Sequence, residues 1–198
     1  MIELPDVTLI SVDTTDNLEG TLNGIYTSMS GINFGAIKLI TTKEQIEKNP
    51  DLKEEGITLE EPVREIKNYN DYNYYVIYCL HNHVETSHCL LVQPDGFVLF
   101  PDKWDDEWLK YDYIGAPWPL VKDSYIDPFG NQHQVGNGGF SLRSKKLLEV
   151  PQRLKFLGKQ IIVISIGCHL ELSTIMRMEI FVYIIGTYLL NKVVSLHQ

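Results

Sequence analysis

The sequence predicts an α/β fold, a central sheet flanked by helices, and three observations carry that expectation. Two short apolar runs rich in β-branched residues, 7–12 (VTLISV) and 36–41 (AIKLIT), bracket a helical stretch at 21–30, which makes a βαβ opening. A third apolar run, 89–93 (CLLVQ), follows a segment of helical spacing and stops at Pro94-Asp95-Gly96. A chain of 198 residues is long enough for one sizeable core and too short for two, so a single domain is expected.

Taken in order, the first strand ends in the polar loop Asp13-Thr14-Thr15-Asp16, and the first helix is closed by Gly31. The charged stretch 43–61 reads as a short surface helix and a loop. Residues 71–84 read as a helix, 97–100 (FVLF) as a strand, and 104–109 as a short acidic-aromatic helix. YDYIGAPW, 111–118, reads as a strand running into a proline turn. VGNGGFSLR, 135–143, is a glycine-rich turn leading into a strand, and a helix starts over 144–150.

A net charge of -9 without a block of like charges leaves no basic surface for phosphate backbones, so nucleic acid is not an expected partner. The cysteines, Cys79, Cys89 and Cys168, are odd in number and follow no metal spacing, which points to a reducing compartment and structural roles. The N-terminus has acidic residues where a secretory signal carries basic ones, so a cytoplasmic protein is expected.

Ligands of open α/β sheets sit at the carboxyl ends of the strands, where Asp13 and Asp95 both fall. Asp95, between a buried strand and a glycine, suits a carboxylate presented to a divalent metal on a diphosphate; on local sequence alone an Asp-Gly hairpin turn, which is common, is the more ordinary explanation. Gly136 to Gly139 let backbone approach a ligand, with Asn137 adding an amide for sugar hydroxyls, or they form a tight turn before a strand. Trp104, Trp108 and Trp118 either stack on sugar rings or belong to the core. His81, His83 and His88 with Glu85 have i, i+2 spacing, which points helical side chains to different faces, so a solvated helix end is expected rather than a metal site.

LPDVTLISVDT, LLVQPDGFVLFPDKWDDEWLKYDYIGAPWP and VGNGGFSLRSKKLLE together resemble a microbial family, a domain of unknown function grouped with GT-A glycosyltransferases. The resemblance spans roughly residues 4 to 156. It implies a GT-A-like, Rossmann-type nucleotide-binding sheet over 1–156, incomplete at its C-terminus, and transfer of a sugar from a nucleotide-sugar to an acceptor. Asp13 and Thr14 would face the nucleotide, and Gln93 and Asp95 would stand where GT-A enzymes carry their Asp-x-Asp metal motif. With Gln93 at the first position, Asp95 is the sole metal candidate for Mn or Mg. Trp118, Asn137, Gly138 and Gly139 would line the sugar and acceptor pocket. The missing aspartate also motivates a second reading, a non-catalytic carbohydrate-binding or scaffold protein.

After Phe156 the composition changes. Residues 157–198 hold five charged residues in 42, against 38 in the preceding 156, and no Asp, Pro or Trp. Their longest charge-free stretches, 160–170 and 180–191, fall short of the roughly 20 residues a membrane span needs, so no transmembrane segment is expected. Similar chains continue with L-P-W-E and later N-E-D-G, the family's candidate catalytic carboxylates, and neither string occurs here. One restored base lets suitable codons for FLGKQII read FPWEANN, and those for MRMEIFVYIIGTY read NEDGNFCVYNRHL. The tail 157–198 is therefore expected to be out of frame, and the chain as written to be inactive.

Overall fold

The computed structural model describes residues 1–116 and 138–156. It contains the expected α/β, Rossmann-type sheet flanked by helices. The strands are β1 (Ile2–Val12), β2 (Ile32–Ile40), β3 (Thr58–Glu60), β4 (His88–Leu91), β5 (Tyr113–Gly115) and β6 (Ser141–Ser144), in the order β3-β2-β1-β4-β6-β5. β1 pairs in parallel with β2 and β4, and β2 with β3, while β6 runs antiparallel to both β4 and β5. The helices are α1 (Glu19–Met29), α2 (Lys43–Lys48), α3 (Tyr69–Tyr78) and α4 (Lys145–Phe156).

Side-chain alternation along the strands divides the core into two layers. Ile10, Ile40 and Leu91 pack with Tyr75 of α3 and Leu147 and Leu148 of α4 on one face. Leu9, Leu39, Leu90 and Leu142 pack with Ile25 of α1 on the other. Val7 to Val12 are all buried because β1 lies mid-sheet with apolar cover on both faces, so its run reads as continuous rather than alternating. Each fully buried Leu or Ile contributes about 1.5–3 kcal/mol.

Capping fixes the helix starts. Asn68 accepts from the amides of Asn70 and Asp71 at 2.9 and 3.1 Å, and Ser144, the last residue of β6, accepts from the Leu147 amide at 3.0 Å.

Several expectations are corrected. β1 and β2 begin earlier than their apolar cores, because residues 2–4 pair with 32–34 before a bulge shifts the register between Leu4 and Thr8. At that bulge a Cβ on Gly35 would stand 2.0 Å from the Pro5 carbonyl oxygen, an approach only glycine permits. The charged stretch after β2 contains the edge strand β3, too short to show a period. Residues 97–100 are not a strand: β6 takes the place beside β4, and this apolar run becomes an irregular covering segment. Residues 106–110 form a 3-10 turn, and α3 ends at Tyr78 with a further 3-10 turn over Leu80–His83.

The histidines are not a solvated helix end. His83 and His88 are buried, and His83 bridges the Tyr75 hydroxyl and the Glu60 carboxylate, each at 2.5 Å. Lys38, buried on β2, closes on Glu60 at 2.7 Å. Cys79 and Cys89 are buried and not disulfide-bonded, and burial pushes the Cys89 thiol up to about 12, consistent with a structural role. Cys168, the proline turn and the whole tail from residue 157 lie outside the described residues.

Candidate functional site

The carboxyl edge of the parallel strands gathers most of the expected residues. Asp13 leaves β1 there, its amide donating to the Ile40 carbonyl at 2.9 Å. Its carboxylate is already engaged: Oδ1 accepts from the Thr15 amide at 2.9 Å and Oδ2 from the Thr21 hydroxyl at 2.5 Å. Asp13 thus shapes the loop and ties it to α1. Thr14, half-buried, donates to the Ile66 carbonyl at 3.4 Å.

Beyond β4 the chain makes a tight turn closed by two backbone bonds between Gln93 and Gly96, at 2.9 and 3.1 Å, with Pro94 and Asp95 at its tip. The turn explanation of Asp95 is therefore correct as local structure, and it also puts Asp95 at the carboxyl edge of the parallel strands. The Asp95 carboxylate is exposed and makes no hydrogen bond or ion pair among the described residues.

This turn is held from several sides. Ser11 donates to the Val92 carbonyl at 2.9 Å, and Gln93 Nε2 donates to the Tyr72 hydroxyl at 2.6 Å. A Cβ on Gly24 of α1 would lie 3.1 Å from the Gln93 carbonyl oxygen, and one on Gly96 would lie 2.8 Å from Phe140 Cβ. Glycine at both places lets α1 and Phe140 close on the turn, at a helix-propensity cost of about 1 kcal/mol for Gly24.

The third contributor is the approach to β6. Gly138 and Gly139 stand at the same edge, because Ser141 pairs with Leu91 at the end of β4. Behind them lies Arg143, 1% exposed. Its Nε donates to Ser141 Oγ at 3.0 Å, its Nη2 to the Gly138 carbonyl at 2.9 Å, and its guanidinium sits 5.5 Å from the Tyr113 ring centroid. No carboxylate among the described residues forms an ion pair with it. Sequence reasoning missed Arg143, since an arginine beside Ser144-Lys145 reads as surface. Its place at the inward position of a buried four-residue strand was the signal available.

Tyr72 stands between these parts. Burial pushes its hydroxyl up to about 12, against the opposing pull of Arg143 and of the bond from Gln93. Trp118 and Asn137 lie outside the described residues. Trp104 packs, partly buried, against the core layer of Leu90 and Leu142, as its core alternative expects, whereas Trp108 is exposed; the two rings meet edge to face, 5.2 Å between centroids. Among the described residues no three His, Cys, Asp or Glu converge as metal ligands, and no helix is long and apolar enough to cross a membrane.

The model of a family described as "Protein of unknown function (DUF5672)" matches residues 58–161, more than half of the chain. No curated protein matches. Among solved structures, 4-diphosphocytidyl-2C-methyl-D-erythritol synthase from Anaerococcus prevotii DSM 20548 is similar over 78% of this chain and 76% of its own, with 14% identity and a TM-score of 0.49. A likeness that slight carries no inference about activity.

Proposed function

The chain belongs to the DUF5672 family, and we propose that it is built to take a nucleotide-sugar at the carboxyl edge of its sheet and transfer the sugar to an acceptor. The observation that carries this reading is Arg143: a buried guanidinium whose hydrogen-bond acceptors among the described residues are neutral, directly behind the glycine turn. No counter-ion faces it among the described residues, and the field of a buried guanidinium favours an anion at that edge, as the diphosphate of a nucleotide-sugar would be.

In this reading the loop at Asp13 and Thr14 borders the nucleotide, and the Gln93 to Asp95 turn meets the diphosphate. Gly138 and Gly139 allow the sugar close to the backbone, with Asn137 and Trp118 as further sugar and acceptor candidates. A divalent cation, Mn or Mg, would find Asp95 as a lone carboxylate. No second carboxylate joins Asp95 among the described residues, so such a cation would be shared between Asp95 and the diphosphate itself, with Arg143 and backbone amides taking the remaining charge. No catalytic acid or base is assigned, because the N-E-D-G segment is absent from 157–198. The chain as written is proposed to bind donor without turning it over.

Calorimetric titration of a panel of nucleoside diphosphates, with Mg or Mn present, into the full chain tests this. Binding that is lost in a folded Asp95→Ala variant is the expected result, and unchanged binding removes the role given to Asp95.

One observation favours the non-catalytic reading, a carbohydrate-binding or scaffold protein. Gln93 replaces the first carboxylate of the metal motif, and its amide is committed to Tyr72. Binding to glycans without binding to any nucleoside diphosphate would decide for it.

A further inference from the structure

Segment 61–67 runs from the end of β3 to the start of α3 along the carboxyl edge, and it is tied to the candidate site at two places. Thr14 Oγ1 donates to its Ile66 carbonyl at 3.4 Å. Its last amide, that of Lys67, donates to Asp71 Oδ2 at 3.1 Å, beside Asn68, which caps the helix that carries Tyr72. What holds the segment from beneath is buried. Val63 has a side chain 58% exposed, yet its amide donates inward to the Tyr75 hydroxyl at 3.1 Å.

From Tyr75, 0% exposed, a chain of polar contacts continues through His83 and Glu60 to Lys38 on β2. Glu60, whose carboxyl lies below its ordinary value, is a carboxylate and accepts from both Lys38 and His83 Nδ1. The Tyr75 oxygen accepts from Val63, and among the described residues His83 Nε2 is the acceptor left for the hydroxyl's own proton. Each proton therefore has one place, and the two rings stack with centroids 5.9 Å apart. Replacing a buried ion pair by apolar side chains is often neutral or stabilising, so stability alone does not account for this chain; a fully satisfied polar network fixes one geometry.

We propose that the chain Tyr75–His83–Glu60–Lys38 fixes segment 61–67 against the Thr14 loop, which makes Tyr75 and His83 positioning residues for the ligand of the carboxyl edge. Both are too deeply buried to touch that ligand themselves, and they act through Val63 and Ile66 on Thr14. The ligand named, a nucleoside diphosphate, rests on the proposed sugar transfer; the coupling of Tyr75 to the edge does not.

Tyr75→Phe keeps the ring and removes the hydroxyl, so Val63 and His83 both lose their partner. Backbone amide resonances of the full chain are compared with wild type, and nucleoside diphosphates are titrated into both with Mg or Mn present. Perturbations are expected at 61–67 and onward at 13–15, with 145–150 in place, and an affinity about fivefold weaker, the worth of one hydrogen bond. Thr14→Val is expected to weaken binding to a similar degree. Adding Tyr75→Phe to it should change affinity by less than about twofold, because both substitutions act through one contact. Leu148→Val, a stability control on α4 in the same core layer, should bind as wild type. Should Tyr75→Phe fail to fold, Glu60→Gln, at the partly exposed member of the chain, carries the same expectations. The proposal is overturned by amide perturbations that stop short of 13–15, by wild-type affinity in the folded variant, or by an equal loss in Leu148→Val. Absence of binding by any nucleoside diphosphate to wild type would remove the transfer reading, and the reach of the amide perturbations would still decide the positioning role.

Discussion

Gln93 donates its side-chain amide to the Tyr72 hydroxyl at 2.6 Å, fastening the Asp95 turn to α3 on one face of the sheet while Gly24 of α1 closes on the Gln93 carbonyl from the other. The turn is thus a clamped element and not a loose hairpin tip. Tyr72→Phe removes the acceptor and leaves a half-buried amide unpaired. A loss of about 1 kcal/mol in urea unfolding is expected, with weaker nucleoside-diphosphate binding.

Gly24→Ala separates stability from binding. The helix gains about 1 kcal/mol in propensity, while the new Cβ, 3.1 Å from the Gln93 oxygen, must displace the turn by a few tenths of an ångström. The urea midpoint should hold or rise. Nucleoside-diphosphate affinity should fall about tenfold, or about 1.4 kcal/mol. A fall in both would make the contact structural only.

The Glu60 cluster predicts acid sensitivity. Burial alone would raise the Glu60 carboxyl, but hydrogen bonds from His83 and Lys38 and the Lys38 charge outweigh it, so the group lies below its ordinary 4.5. A depressed carboxyl stabilises the fold above its unfolded value, and that stability is lost as pH falls through the lower folded value. Urea midpoints should therefore drop on acidification below about 4.5, and Glu60→Gln should flatten that drop at the cost of a lower midpoint at neutral pH.

The βαβ opening, the Asp95 turn and the strand before α4 were legible because apolar runs and turn residues mark them locally. β3 was not, because three residues inside a charged stretch carry no period, and β2 on one side supplies their pairing. Residues 97–100 misled for the opposite reason: Phe97 and Val98 are apolar because they pack on the core layer beneath α1, and no ladder pairs them. His83 and Arg143 escaped because their partners, Glu60 23 residues away and the Gly138 carbonyl five residues away, become neighbours only in the fold.

The expected shift of frame after Phe156 remains a proposal, supported by the composition change and by a family match that ends at residue 161. Sequencing the coding DNA across the codons for residues 150–198 is expected to show an additional base there that restores the N-E-D-G segment. A confirmed present reading would make the tail this chain's own.

The most direct test of the account is the position of the ligand. Backbone amide resonances of the full chain, followed by NMR while a binding nucleoside diphosphate is added, should move at residues 13–15, 93–96 and 138–141, around the carboxyl edge. Perturbations confined to other parts of the sheet, or none with any nucleoside diphosphate, would contradict it.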